Sequence, residues 1–236
     1  MRILFYTHYF PPEGNAPASR VFEMSKAWVA AGHRVTVITC APNVPNGVVY
    51  DGYRNHFRKL ETIEGIDVVR VWTFIAPNKG AVRRLLNYAS YTVSALFQTL
   101  FVERPDVIIA TSPQLFCGWA GQLAHWFLRR PFVLEVRDMW AEGITTLTSV
   151  EQGRLLGILE SIENKLYRMA PRIVTVGEGY RKRLVEKGVD PAKMTIVTNG
   201  VDTEFFAPRP PDAELRSEWG LEGKFVCAYV GTIGLA

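Results

Sequence analysis

The stretch that decides the fold is Arg2-Ile-Leu-Phe-Tyr-Thr-His8, followed by Tyr9-Phe-Pro-Pro-Glu-Gly-Asn-Ala-Pro-Ala-Ser-Arg20. The first part is an apolar run with the length of a buried strand, and the second is a loop with prolines and a glycine that leads into a helix. The C-terminal end repeats this order, because Lys224-Phe-Val-Cys-Ala-Tyr-Val230 precedes Gly231-Thr-Ile-Gly234. A core strand of this kind needs a helix to cover it. We therefore expect the chain to be part of a longer, two-domain protein.

Strands and helices alternate between these two ends. The predicted strands are residues 3–7, 34–39, 57–63, 67–72, 107–110, 132–136, 172–176 and 195–197, and the predicted helices are residues 18–31, 81–102, 115–128, 151–169, 179–187 and 213–219. Short strands rich in Val and Ile, separated by helices, predict an α/β, Rossmann-like domain with a mostly parallel sheet and helices on both faces. The strands at 57–63 and 67–72, joined across Glu64-Gly65, are predicted to form a hairpin or an edge pair.

Pro208-Arg-Pro-Pro211 is the clearest linker in the sequence. Proline neither donates to a sheet ladder nor continues a helix, so the composition changes here from domain to connector. We predict an N-terminal domain over residues 1–207, a linker over residues 208–223, and the first strand and glycine turn of a second domain over residues 224–236.

Composition excludes several classes of protein. The net charge of +4 is small and evenly spread, which does not favour a nucleic-acid partner. The three cysteines, Cys40, Cys117 and Cys227, are far apart in apolar surroundings and are predicted to be reduced core residues of a cytosolic protein. The N-terminus lacks the long apolar region of a signal peptide, so we predict a cytoplasmic location.

Residues 85–102 carry no charge and follow Arg83-Arg84. This length is close to the lower limit for a membrane span, but polar side chains such as Asn87 and Gln98 interrupt the segment. We predict a helix that covers the sheet. A second interpretation is that part of it touches a bilayer surface, where nearby basic pairs would face anionic lipid.

In open α/β sheets, ligands bind beyond the carboxyl ends of the strands. The first loop at that edge, residues 10–19, has a single glycine, Gly14, and so matches neither a dinucleotide fingerprint nor a phosphate loop. This argues against NAD or ATP as a tightly bound cofactor. A glycine before a helix still lets a phosphate approach backbone N–H groups, and Asn15 and Arg20 add polar reach. The alternative is a plain proline-rich turn.

Three further loops at this edge are unusual. Arg137, Asp138 and Glu142 follow the strand at 132–136 beside a tryptophan, and such clustered charge is hard to explain by packing, although Asp138 could also cap the next helix. Ser112 offers a hydroxyl to a ligand or to a helix cap. Asn199, in an Asn-Gly turn just before the linker, indicates a hinge or a cleft wall.

Other kinds of site are not indicated. The four histidines have no ligand spacing, and no Cys or His cluster suggests zinc. The sequence has no Gly-x-Ser-x-Gly elbow and no Asp-x-Asp pair that would hold a divalent metal on a diphosphate. We therefore predict neither a metal nor a cofactor.

Six segments, in this order and spacing, resemble family 4 retaining glycosyltransferases of the bacterial cell-surface polysaccharide and antigen type. They are RILFYTHYFPPEGNAPASR, GHRVTVIT, TSPQLF, VRDMW, NGVD and YVGTIG. The resemblance implies a GT-B architecture, in which two Rossmann-like domains face each other across a cleft. It also implies that the N-terminal domain holds the acceptor, and that the C-terminal domain holds the nucleotide-sugar donor, a pair of glutamates and the basic residues that steady the diphosphate. This chain ends before those features.

The resemblance also implies residue roles. Gly14 matches the loop glycine that approaches the donor diphosphate, Asp138 matches the acidic position that reaches toward the transferred sugar, and Gly231 and Thr232 match the start of the donor-side loop. By charge and position rather than by resemblance, Arg20 and Arg137 are predicted to contact an anionic acceptor or the donor phosphate.

The expected activity is sugar transfer, with retention, from a nucleotide-diphosphate sugar to a lipid-linked saccharide at the inner membrane face. This chain alone is expected to be inactive. Two alternatives remain open at this point. One is a nucleotide-sugar epimerase of the same two-domain build, and the other is a non-catalytic binding module with a Rossmann-like fold.

Overall fold

A computed structural model describes residues 1–75, 81–112, 115–139, 154–204 and 206–229. Its strands are β1 (Arg2–Tyr6), β2 (Arg34–Cys40), β3 (Arg58–Ile63), β4 (Ile66–Val71), β5 (Val107–Thr111), β6 (Phe132–Val136), β7 (Arg172–Thr175) and β8 (Met194–Ile196). They form one sheet in the order β3-β4-β2-β1-β5-β6-β7-β8. Every neighbouring pair is parallel except the antiparallel edge pair β3–β4. The predicted parallel sheet and edge hairpin are confirmed.

The helices are α1 (Ala16–Ala30), α2 (Ala81–Thr99), α3 (Leu115–Leu128), α4 (Arg154–Met169), α5 (Glu178–Glu186) and α6 (Ala213–Glu218). They match the predicted helices apart from their ends. For example, α1 begins earlier because the Asn15 side chain caps it, and α2 ends earlier because Leu100 and Phe101 donate to carbonyls three residues back. The predicted helical residues 151–153 lie outside the described residues.

Alternate residues of β1, β2, β4 and β5 pack against two separate cores. In β1, Ile3 and Phe5 lie in the core that contains Val21 of α1, whereas Leu4 and Tyr6 lie in the core that contains Tyr91 of α2. Helices α3 and α4 supply further residues to the second core. Because successive side chains of a strand point to opposite faces, helices cover both faces of the sheet, as predicted.

Helix α2 covers the sheet, as the sequence predicts. Tyr91 and Ala95 are fully buried in the core, and the Tyr91 hydroxyl donates to the Ile38 carbonyl at the end of β2. Among the described helices, none is both long and apolar enough to cross a membrane.

The strand predicted at residues 224–230 is not present in the described residues 224–229, which have no regular secondary structure. A strand needs a ladder partner, and these residues pair with none of the described strands, so Phe225 is 97% exposed. For the same reason Cys227 is exposed, whereas Cys40 and Cys117 are buried as predicted. The domain boundaries at residues 207 and 223 stay a prediction.

Candidate functional site

The loop between β1 and α1 brings two predicted residues to the carboxyl edge of the sheet. The Asn15 Oδ1 accepts a hydrogen bond of 2.9 Å from the Ala18 N–H and so starts α1. Gly14, directly before it, is exposed, and nothing lies within 4 Å of the space that a Cβ would fill. The backbone here is therefore open to a ligand. The phosphate contact of Gly14 and Asn15 stays a prediction.

Two buried residues of opposite charge, Glu13 and Arg70, hold this loop in place, and the sequence prediction missed both of them. The ion-pair partner of Arg70 is Glu61 of β3. The Glu13 Oε1 accepts from the N–H groups of Asn43 and Val44, at 2.8 and 3.1 Å. Arg70, near the end of β4, donates to the Cys40 carbonyl at 3.0 Å and to the Pro11 carbonyl. Burial raises the pKa of the Glu13 carboxyl. In the sequence, these buried charges are indicated only by an arginine within the otherwise apolar end of β4.

Ser112, just beyond β5, joins two of the predicted loops. Its Oγ accepts from the Arg137 N–H at 2.9 Å and lies 3.2 Å from the Asp138 carbonyl, to which it donates. The hydroxyl is thus bonded to the backbone of the loop after β6. The structure thus brings Ser112, Arg137 and Asp138 together, and Ser112 fixes the backbone of the other two.

The exposed Asp138 carboxylate has a partner that the sequence did not indicate. The Tyr180 hydroxyl of α5 donates to its Oδ1 at 3.1 Å. Burial, and next the charge of Asp138, raises the pKa of the Tyr180 phenol, which therefore stays protonated at neutral pH. No local pattern marks Tyr180, because it lies on a polar helix far from Asp138 in the sequence.

Arg20 lies on α1 and bridges two other elements. It forms an ion pair with Glu135 of β6 through Nη2 and donates to the Asn199 Oδ1 through Nη1. Arg20 and Asn199 were both predicted at this edge, and the structure brings them together. Glu135 was missed, although a charged residue inside the apolar run of β6 is a signal that packing alone does not explain.

The Arg137 guanidinium is affected by the charges of several of these residues. The pKa of its guanidinium is lowered, chiefly by burial and next by the positive charge of Arg20, while Glu135, Asp138 and Tyr180 act in the opposite direction. The Arg137 guanidinium is thus influenced by both the positive and the negative charges of this edge. Glu142, Gly231 and Thr232, the remaining predicted site residues, lie outside the described residues.

A buried histidine lies below the same edge, just beyond β1. The His8 ring packs against the rings of Tyr9, Tyr88 and Tyr91 at centroid distances of 5.5, 5.4 and 5.1 Å. Burial lowers the pKa of His8 to about 4, so the ring is neutral at physiological pH. Over the described ranges, no group of three or more His, Cys, Asp or Glu side chains is placed to hold a metal ion.

Two solved structures share this fold. Anabaena Alr3699/HepE in complex with UDP-glucose superposes with a TM-score of 0.56 at 16% identity, over 94% of this chain and 50% of that one. A sucrose-phosphate synthase structure from Thermosynechococcus elongatus gives a TM-score of 0.51 at 10% identity, over 87% of this chain and 93% of that one. At these identities the likeness shows the fold alone, and it confirms the Rossmann-like prediction.

Sequence comparison gives the family. WcaI of Escherichia coli (strain K12), a glycosyl transferase assigned to colanic acid biosynthesis, is 27% identical over 99% of this chain and 59% of its own length. The chain thus spans about three-fifths of this relative. The model of the glycosyl transferase 4-like domain matches residues 15–200, which include every predicted site residue that the structure describes except Gly14. The chain belongs to the glycosyl transferase 4-like domain family.

Proposed function

We propose that this chain is the acceptor-side half of a retaining glycosyltransferase of GT-B architecture, with residues 208–223 as the linker to the donor-binding half. The donor is a nucleotide-diphosphate sugar, and the acceptor is a lipid-linked saccharide of cell-surface polysaccharide synthesis. The carboxyl edge of the sheet, with Asp138 at its centre, is the wall of the active-site cleft.

One observation carries this proposal. The loops after β1, β5 and β6 bring an open glycine backbone, a positioning hydroxyl and an exposed carboxylate to one edge of a parallel sheet. That edge is where open α/β sheets bind ligands. Family membership and the UDP-glucose bound by the Anabaena relative agree with a nucleotide sugar as the donor.

The arrangement suits the chemistry of sugar transfer. When the bond between the anomeric carbon and the diphosphate breaks, positive charge develops on the sugar ring and negative charge on the leaving diphosphate. The Asp138 carboxylate, oriented by Tyr180, stabilises the ring. Backbone N–H groups at Gly14 and Asn15, at the start of α1, stabilise the diphosphate.

Asp138→Asn in the complete polypeptide that contains this chain tests the proposal. The substitution keeps the size and the hydrogen bond from Tyr180 but removes the charge, so we expect kcat to fall by about 10²- to 10³-fold. Radiolabelled nucleotide sugars and lipid-linked oligosaccharide serve as substrates. Unchanged turnover of Asp138→Asn would show that the carboxylate is a bystander.

The products of the unmodified enzyme separate this proposal from its rivals. Sugar found on the acceptor supports a transferase. An isomerised nucleotide sugar in the absence of acceptor would instead indicate an epimerase. If neither product forms, a non-catalytic binding module is indicated. Transfer by residues 1–236 alone would contradict the view that a second domain is required.

We further propose that the protein acts at the inner face of the cytoplasmic membrane through one side of α2. Leu86, Val93 and Phe97 of α2, together with Leu100 and Phe101 directly after it, are here called the α2 stripe. They are 45–69% exposed and lie seven, four, three and one residues apart. Arg83 and Arg84 lie exposed before the stripe and Arg104 lies exposed after it. An apolar helix face between cations matches an anionic lipid surface, which is where a lipid-linked acceptor is found.

A further inference from the structure

Glu135 lies on the α1 side of the sheet. Its neighbours Leu134 and Val136 belong to the core on the α2 side, so the alternation of β6 turns Glu135 toward α1. The carboxylate is almost fully buried, with 4% of its side chain exposed. A buried carboxylate in this position needs a cation, and α1 supplies Arg20.

Both terminal nitrogens of Arg20 are bound by the protein, one to Glu135 and the other to Asn199. Its Nε is buried without a hydrogen-bond partner. The side chain therefore has little freedom to move toward a ligand. Arg20 holds a positive charge at a fixed place between α1, β6 and the loop after β8.

Arg137 differs from Arg20 in its surroundings. Its backbone N–H donates to the Ser112 Oγ at 2.9 Å. Within the described part of the chain its guanidinium forms no ion pair and no hydrogen bond, and its Nε is buried without a partner. It is half-buried beside the positive charge of Arg20, which disfavours its charged form. The exposed carboxylate of the next residue, Asp138, accepts a hydrogen bond from Tyr180.

Two guanidinium groups thus lie near one buried carboxylate, Glu135, whose ion pair is with Arg20. A partly buried cation without an opposite charge is unfavourable, and an anion that binds beside it relieves this cost. The planar guanidinium matches the geometry of phosphate oxygens, to which it donates two parallel hydrogen bonds.

We propose that Arg137 binds a phosphate group of a substrate, and that Arg20, held by Glu135 and Asn199, is the positioning residue that places a second positive charge beside it. This inference rests on the proposed function, because both the donor and the acceptor of that reaction carry phosphate. One source is the diphosphate of the donor, and the other is the phosphate that joins the acceptor saccharide to its lipid.

The test uses Arg137→Gln and Arg137→Lys in the complete polypeptide, with inorganic pyrophosphate as the probe in calorimetric titration. A charged hydrogen bond contributes about 1.5–3 kcal/mol, so we expect Arg137→Gln to weaken pyrophosphate binding by about 10- to 100-fold and Arg137→Lys to weaken it less. Arg172→Gln, at the amino end of β7, is the matched control and should bind pyrophosphate like the unmodified protein.

Steady-state kinetics with the same variants separate the two phosphate sources. A raised KM for the nucleotide sugar alone assigns the phosphate to the donor, and a raised KM for the lipid-linked saccharide alone assigns it to the acceptor. If Arg20 is a positioning residue, Arg20→Lys should raise the KM of the same substrate as Arg137→Gln does. Its kcat should change less than its KM. A general loss of folding would not select one substrate.

The outcome that overturns the inference is an Arg137→Gln protein whose pyrophosphate affinity and two KM values all equal those of the unmodified protein. This result is distinct from failure of the proposed function, because pyrophosphate binding requires no sugar transfer. If pyrophosphate binding depends on Arg137 but no sugar is transferred, the phosphate site stands and the proposed glycosyltransferase function is rejected.

Discussion

The hydrogen bond from Tyr180 to the Asp138 carboxylate can be tested by a small change. Substituting Tyr180 with phenylalanine removes only the hydroxyl that makes this bond. The 3.1 Å hydrogen bond to Oδ1 fixes one carboxylate oxygen, while Ser112 fixes the backbone. We expect Tyr180→Phe to lower kcat about tenfold, since a hydrogen bond to a charged group contributes about 1.5 kcal/mol. Steady-state sugar transfer measures this, and the KM for either substrate should change little.

Tyr50→Phe is the matched control. Tyr50 also donates its hydroxyl, in this case to the Val44 carbonyl at 2.5 Å, but it lies in the loop after β2 and does not contact Asp138. The kcat of the Tyr50→Phe variant should equal that of the unmodified enzyme. Equal losses of kcat in the two variants would contradict a specific role of Tyr180 in orienting Asp138.

The residue scale also shows how far the sequence predicts the site. Arg20, Ser112, Arg137 and Asn199 were predicted from polar residues that follow strands, and strand ends of a parallel sheet meet at one edge. The prediction took Arg20 and Arg137 as contacts to an anionic substrate, Ser112 as a ligand hydroxyl or a helix cap, and Asn199 as part of a hinge or cleft wall. The structure instead engages Ser112 with backbone and Arg20 with other side chains, because these roles depend on which residues face each other across elements.

At the scale of elements, α2 combines a buried face and an exposed apolar face. Tyr91 and Ala95 lie in the core, while Val93 and Phe97 of the α2 stripe are exposed. We expect Phe97→Glu to weaken binding to vesicles of phosphatidylglycerol and phosphatidylethanolamine by about tenfold or more. The change removes an apolar side chain worth about 1.5–3 kcal/mol when buried and adds a charge that anionic lipid repels. Co-sedimentation with vesicles measures the partition.

Ile158→Glu on α4 is the control for this experiment, since Ile158 is another exposed apolar residue of a helix. It lies outside the α2 stripe and should leave vesicle binding unchanged. Binding that persists in Phe97→Glu, or that is lost equally in both variants, would reject the α2 stripe as the membrane surface.

The elements themselves follow closely from the sequence. Runs of Val and Ile such as those in β2, β4 and β5 are typical of strands that are buried on both faces, and each was found near its predicted bounds. Residues 224–229 carry a similar pattern but form no strand. An apolar pattern predicts that a segment can be a strand, whereas hydrogen-bond partners decide whether it is one.

For the molecule as a whole, β1 occupies the centre of the sheet, with β2 on one side and β5 on the other. Chain connections leave this point in both directions, and such a point is where α/β sheets open a ligand crevice. The open Gly14 backbone therefore follows the central strand. Beneath it lie His8 and Glu13, which are buried and whose ionisation couples the stability of the whole domain to pH.

Acid is expected to destabilise the folded protein through His8. The pKa of His8 is about 4 in the folded state, against about 6.5 in the unfolded chain, so between these values the unfolded state binds more protons. Stability therefore falls as the pH falls from 6.5 toward 4, by about 2–3 kcal/mol at pH 4.5. Glu13 acts in the opposite direction, because its raised pKa makes the folded state bind more protons above pH 4.5 and so gain stability as the pH falls.

We expect His8→Gln, which does not titrate in this range, to lose about 2–3 kcal/mol less than the unmodified protein between pH 7 and pH 4.5. Urea denaturation at the two pH values measures the difference. The exposed His56 provides the control, and His56→Gln should keep the pH dependence of the unmodified protein. If His8→Gln and the unmodified protein lose the same stability, the acid sensitivity of the fold does not come from this buried ring.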